Sequence, residues 1–105
     1  MDRNGYNPSI IPTEDGKCFL CGRETQTVRH EIYPGTGTRT LCKRYGVWVN
    51  LCPRCHERVH ADPEGRDNRE LRKVARLMWV RHVDCEDEFI RIFIKGDIKN
   101  WEIKE

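Results

Sequence analysis

Residues 51–60 read Leu51-Cys52-Pro53-Arg54-Cys55-His56-Glu57-Arg58-Val59-His60, and this stretch decides how the rest of the chain is read. Proline is favoured at the first position of a helix, where its missing N–H would have no intrahelical partner anyway. Pro53 therefore predicts a helix that starts near Cys52 and carries Cys55, His56 and His60. That helix stops before Pro63 and Gly65, because the residue preceding a proline is pushed out of the helical region. Successive helical residues lie about 100° apart, so Cys55 points away from His56, whereas His56 and His60, four apart, share a face. One short helix can thus serve two cations: a closed thiolate site on one flank and an imidazole site with open positions on the other.

Cys52 and Cys55 have a counterpart upstream in Cys18-Phe19-Leu20-Cys21. Two residues between thiolates let a tight turn aim both sulfurs at one tetrahedral ion, so Cys18, Cys21, Cys52 and Cys55 are the candidate ligands of a structural zinc. The 30 residues between the pairs form an excursion that such an ion would close. Redox-active dithiols or disulfides are the alternative use of paired cysteines. Cys42 and Cys85 have no place in either scheme and are expected to be small buried fillers.

The length of 105 residues admits one domain and not two independent cores. Charged residues make up 34% and apolar residues only 37%, so the core should be thin. A bound structural zinc contributes roughly 10–16 kcal/mol in small zinc domains, which would supply the missing stabilisation. The net charge of +2 argues neither for nor against nucleic acid, but it is unevenly spread. Between Lys17 and His60 eight Lys and Arg face three Glu, so the positive charge coincides with the candidate ligands. No apolar run approaches the roughly 18 residues of a membrane span, and residues 1–17 lack the charged-then-apolar plan of a signal peptide. The expectation is a soluble, intracellular, cytoplasmic protein with reduced thiols.

Residues 1–16 contain Pro8, Pro12, Gly5 and Gly16 without apolar periodicity and read as an irregular leader that packs late or not at all. Thr25 to Tyr33 reads as a first strand ended by Pro34 and Gly35, the run from Gly35 to Arg39 as a loop, and Val47, Val49 and Leu51 as one face of a second strand. Beyond the helix at Cys52, Asp67 and Glu70 resemble a capping pair for a longer helix with Leu71, Val74, Ala75, Met78 and His82 on one face. His82 there reads as a packed histidine. The segment from Asp87 to Ile94 suits a helical turn or a strand.

His30-Glu31-Ile32-Tyr33-Pro34 at the end of the first strand offers a third ligand and an acid or base. With the glycine-rich loop ending in Arg39, then Tyr45-Gly46-Val47-Trp48-Val49, then Leu51-Cys52-Pro53-Arg54-Cys55-His56 through His60, the chain resembles the HNH endonuclease family. The likeness is greatest to the small zinc-stabilised HNH proteins of phages and prophages, and it covers residues from about 17 to 95. It implies an α+β fold: a treble-clef-like ββα-metal core over about 17–62 with a helical extension over about 67–95, within one domain spanning 17–105. It also implies a bacterial or phage-infected host cell as the setting.

By position, the resemblance implies that His30, His56 and His60 hold a catalytic divalent ion, magnesium, manganese, nickel or zinc, distinct from the structural zinc. Glu31 falls where the family usually has a general-base histidine. A glutamate, with a pKa near 4.3 against about 6.5 for histidine, is the weaker base by roughly 3 kcal/mol. Two routes are open: Glu31 sits in an apolar wall with a raised pKa and acts as the base, or it binds the ion itself. Val47 occupies the place of the family's middle asparagine, with Asn50 displaced. The implied activity is metal-assisted hydrolysis of DNA phosphodiesters, with Arg39 and Arg44 on phosphate and Lys43, Arg54 and Arg58 adding nonspecific attraction. The alternative is a non-catalytic zinc module that binds DNA or a protein, having lost the base histidine.

Overall fold

A computed structural model of the chain describes residues 2–35 and 37–98. The final stretch of the expected domain, from 99 to 105, and residue 36 of the expected loop lie outside the described residues. The architecture is α+β: a two-stranded sheet with four helices around it. Strand β1 (Val28–Glu31) pairs antiparallel with β2 (Trp48–Leu51), in a register that sets His30 opposite Val49 and Glu31 opposite Trp48. No helix among the described residues is long and apolar enough to cross a membrane.

The chain between the strands holds α1 (Thr38–Tyr45), where sequence reasoning placed a loop over its start. Its apolar content is limited to Leu41, Cys42 and Tyr45, too little for a clear period, yet Leu41 and Cys42 are fully buried. Lys43 and Arg44 in the last turn complement the helix dipole. Gly46 ends the helix in the left-handed region at φ 74°, and a Cβ at this position would collide with the carbonyl of Pro8.

Helix α2 (Pro53–Ala61) begins as its sequence predicts, with Cys52 as N-cap and Pro53 in the first turn. Helix α3 (Arg66–His82) buries Asn68, Leu71, Ala75 and Trp79, while Val74 and Met78 are half-buried. Two expectations for α3 are corrected. Gly65 is the N-cap with no side-chain hydrogen bond, because Asp67 instead takes an ion pair from Arg58 at 2.7 Å. His82 is exposed: α4 (Glu86–Phe89) and the π-helical turn Ile90–Ile94 that continues it return against Trp79, one turn earlier, so the last turn of α3 projects past the core. The ambiguous segment from Asp87 to Ile94 is therefore helical, and Phe89 and Phe93 join Tyr33, Tyr45 and Trp79 in an aromatic cluster with neighbouring ring centroids 5.1–5.8 Å apart.

The leader is irregular, as expected, but it packs. Ile11 is buried in the core, Ser9 Oγ donates to the Trp48 carbonyl at 2.6 Å, and the Asn50 amide donates to Thr13 Oγ1 at 2.9 Å. Trp48 Nε1 in turn donates to the Asn7 carbonyl at 2.9 Å. The leader thus satisfies polar groups of β2 that β1 does not reach. It also explains why all four residues of β2 are buried, not only the alternate aliphatics.

Candidate metal centre

The first CxxC turn is closed by the Gly22 amide donating to the Cys18 carbonyl at 2.9 Å, with Gly22 at φ 77°, a conformation that an L side chain rarely adopts. The Cys21 amide donates to Cys18 Sγ at 3.5 Å, and at the second turn the Cys55 amide donates to Cys52 Sγ at 3.4 Å. Both turns therefore aim a backbone N–H group at a sulfur. The four Sγ atoms lie within 4.8 Å of one another, and Cys21 Sγ is 3.9 Å from Cys52 Sγ. Four thiolates at about 2.3 Å from a tetrahedral zinc stand roughly 3.8 Å apart, so the cluster has the size of a zinc site. It is far too open for a bond between sulfurs, and none of the six cysteines is in a disulfide.

Burial opposes ionisation of Cys18, but hydrogen bonds from the Cys21, Cys52 and Leu20 backbone outweigh it and bring the thiol down to about 6. Arg58 Nη2 approaches Cys55 Sγ at 3.7 Å, adding a positive group beside the cluster. Cys42 is the buried filler expected of it, exchanging contacts with the Tyr33 backbone, and burial pushes its thiol up to about 12. Cys85 is not: it is exposed at the start of α4, where its carbonyl accepts Trp79 Nε1 at 3.1 Å.

On the other flank of α2 the three imidazoles converge. His30 comes from β1, and its ring centroid lies 5.4 Å from that of His56 and 5.5 Å from that of His60. His56 Nε2 and His60 Nε2 are 3.0 Å apart, and one ring nitrogen from each of the three histidines falls within a 4.8 Å group. His30 is 4% exposed, and its Nε2 is buried without a hydrogen-bond partner. An orphaned buried nitrogen beside two further imidazoles is the donor set a divalent cation takes. Burial, then the charges of His56 and His60, push His30 down to about 4, so its lone pair is available at neutral pH.

Glu31 follows His30 on β1, where successive side chains face opposite ways. It is buried, and Oε1 accepts both the Tyr6 hydroxyl at 2.8 Å and Arg39 Nε at 3.2 Å. Burial opposes the charge, but the Tyr6 and Arg39 hydrogen bonds overcome it and hold the carboxyl below its usual range. The raised pKa that one expected route required is therefore not what this environment produces. Nor do the carboxylate oxygens of Glu31 belong to the three-imidazole group.

Of the five basic residues expected on phosphate, Arg39 is committed through Nε to Glu31 but stays two-thirds exposed. Lys43 Nζ lies 5.0 Å from the centre of the Tyr6 ring, Arg44 is half-buried in the last turn of α1, Arg54 is exposed, and Arg58 is paired with Asp67. Sequence reasoning missed Tyr6, which sat in a leader without evident chemistry; Arg29 also stacks on its ring at 4.5 Å. It also missed Asn68, whose Nδ2 donates to the Val59 and Asp62 carbonyls at 2.8 and 3.0 Å and ties α3 to the end of α2. A pocket of about 230 Å³ opens beside the imidazoles, lined by His30, His60, Tyr33, Asn68 and Arg72 among others. The chain matches no protein-family model, and neither curated proteins nor solved structures yield a match.

Proposed function

We propose that this chain is a metal-dependent endonuclease of the HNH type, with a treble-clef-like ββα-metal core, that hydrolyses DNA phosphodiester bonds. The observation that carries the reading is the convergence of His30 from β1 with His56 and His60 from α2, on the helix whose start also brings Cys52 and Cys55 to the cysteines of the upstream CxxC turn. In this reading Cys18, Cys21, Cys52 and Cys55 hold a structural zinc, and the three histidines hold a second divalent ion. When bound, that ion supplies charge neutralisation at the phosphate and at the leaving oxygen. His56 and His60 are set four apart by the helix, and His30 is set by strand pairing, so helix and sheet geometry together position the three candidate ligands.

In this reading Glu31, the neighbour of His30 on β1, is the base. Its Oε1 is occupied by Tyr6 and Arg39, which leaves Oε2 to receive a proton from the attacking water. Tyr6 and Arg39 orient the carboxylate, and Lys43, Arg44, Arg54 and Arg58 supply screened attraction for the polyanion.

The test is plasmid nicking by the zinc-loaded protein with magnesium, manganese or nickel, run beside His30→Ala. Nicked and linear products from wild type alone are expected. No cleavage under any ion, with zinc retained and DNA still shifted in a gel, would replace this reading with a non-catalytic DNA-binding module.

A further inference from the structure

Beyond the imidazole pocket runs a second groove, of about 300 Å³, lined by Tyr33, Arg69, Arg72, Lys73, Arg76 and Ile94. The two pockets share Tyr33 and Arg72. Arg69, Arg72, Lys73 and Arg76 stand at i, i+3, i+4 and i+7 on α3, so they form one stripe about 10 Å long on a single helix face. Arg69 and Lys73 are exposed, and among the described residues neither has an ion-pair partner. Arg76 Nε is buried without a hydrogen-bond partner. Arg72 is held in place by donating to the Asn68 and Pro63 carbonyls, and its ion pair with Glu64 is long, at 4.0 Å to a carboxylate 88% exposed. The lining of this groove carries four cations and no anion.

We infer that this stripe is the track for the DNA backbone, leading the strand across α3 into the imidazole pocket. The inference rests on the endonuclease reading above and adds the partner's path. A row of guanidinium and ammonium groups suits phosphate oxygens, which Arg grips two at a time. A 10 Å stripe is long enough to meet about two successive phosphates of one strand. Tyr33 and Arg72 line both pockets, so a backbone lying on the stripe ends next to the pocket that holds His30 and His60.

The experiment measures binding, by fluorescence anisotropy, of the full zinc-loaded chain to a labelled 20-base-pair duplex between 50 and 200 mM salt, with no second divalent ion added. Arg69→Gln/Lys73→Gln removes two exposed charges that support no packing. It should weaken binding about tenfold and lower the slope of log affinity against log salt by about two, with zinc content and circular dichroism unchanged. The charge-conserving Arg69→Lys/Lys73→Arg pair should restore both. Unchanged affinity and slope in the double variant would overturn the track, even if wild type nicks plasmid; the loss of slope in a protein that never nicks would uphold the track and sink the nuclease reading. Tighter binding to single-stranded RNA or to a polyglutamate peptide than to the duplex would also overturn it.

Discussion

Tyr6 and Glu31 are 25 positions apart in sequence and joined by a 2.8 Å hydrogen bond, so a leader residue holds the carboxylate of the residue that follows His30 on β1. Tyr6→Phe keeps the ring under Arg29 and Lys43 and deletes only the hydroxyl. Loss of this part-buried, charge-assisted hydrogen bond should cost about 1 kcal/mol of stability. Cleavage should fall about tenfold with DNA affinity unchanged. A normal rate in a modestly destabilised variant would show that Tyr6 anchors the leader and does not position Glu31.

The two clusters that meet at α2 should separate by mutation. Cys52→Ser removes one of the four candidate thiolate ligands while keeping a side chain that can cap α2, and should lose zinc and unfold. His30→Ala should keep the zinc and the fold while cleavage drops by about a hundredfold or more. Zinc analysis and circular dichroism on both variants decide this, and unfolding of His30→Ala would contradict the division into two sites.

Gly46 is held at φ 74° with the Pro8 carbonyl packed against its Cα. Gly46→Ala should destabilise the chain by about 2–4 kcal/mol, through left-handed strain together with displacement of the leader. Limited proteolysis of the variant should cut within residues 2–16 first.

The thiols outside the zinc cluster should react very unequally. Cys85 is exposed, whereas burial pushes Cys42 up to about 12. In the zinc-loaded protein at pH 8, iodoacetamide should modify Cys85 at least about a hundredfold faster than Cys42, read by mass spectrometry. The linkage follows from the sign of the shift. A folded-state pKa above the unfolded one gives stability that is complete below about pH 8.5 and lost as pH rises toward 12, because the unfolded chain releases the Cys42 proton first. Cys42→Ala should flatten that alkaline decline.

Much of the site was legible because its signals are local. CxxC spacing, the proline at the start of α2 and the four-residue step from His56 to His60 each follow from short-range geometry. The approach of His30 was legible only through resemblance, since its distance from α2 depends on strand pairing and not on spacing. Elsewhere local signals were weak or outcompeted. Helix α1 has too few apolar residues to show a period, and Asp67 looked like a cap until Arg58 claimed it. His82 fits the apolar face by angle, but the core ends a turn before it. The role of Tyr6 depends on a contact across 25 positions, and nothing in the leader's own composition announces it.

The leader's bonds to β2 span 37 to 41 positions of the chain. Long-range closures of this kind carry an entropic cost and form late in folding. During synthesis the leader emerges well before the strand it seals, and it must wait for residues 46–50 before it has anywhere to dock. Once β2 has emerged, its outer rim stays open to any neighbouring polypeptide until the leader docks on it, and that interval is when strand-to-strand aggregation would begin.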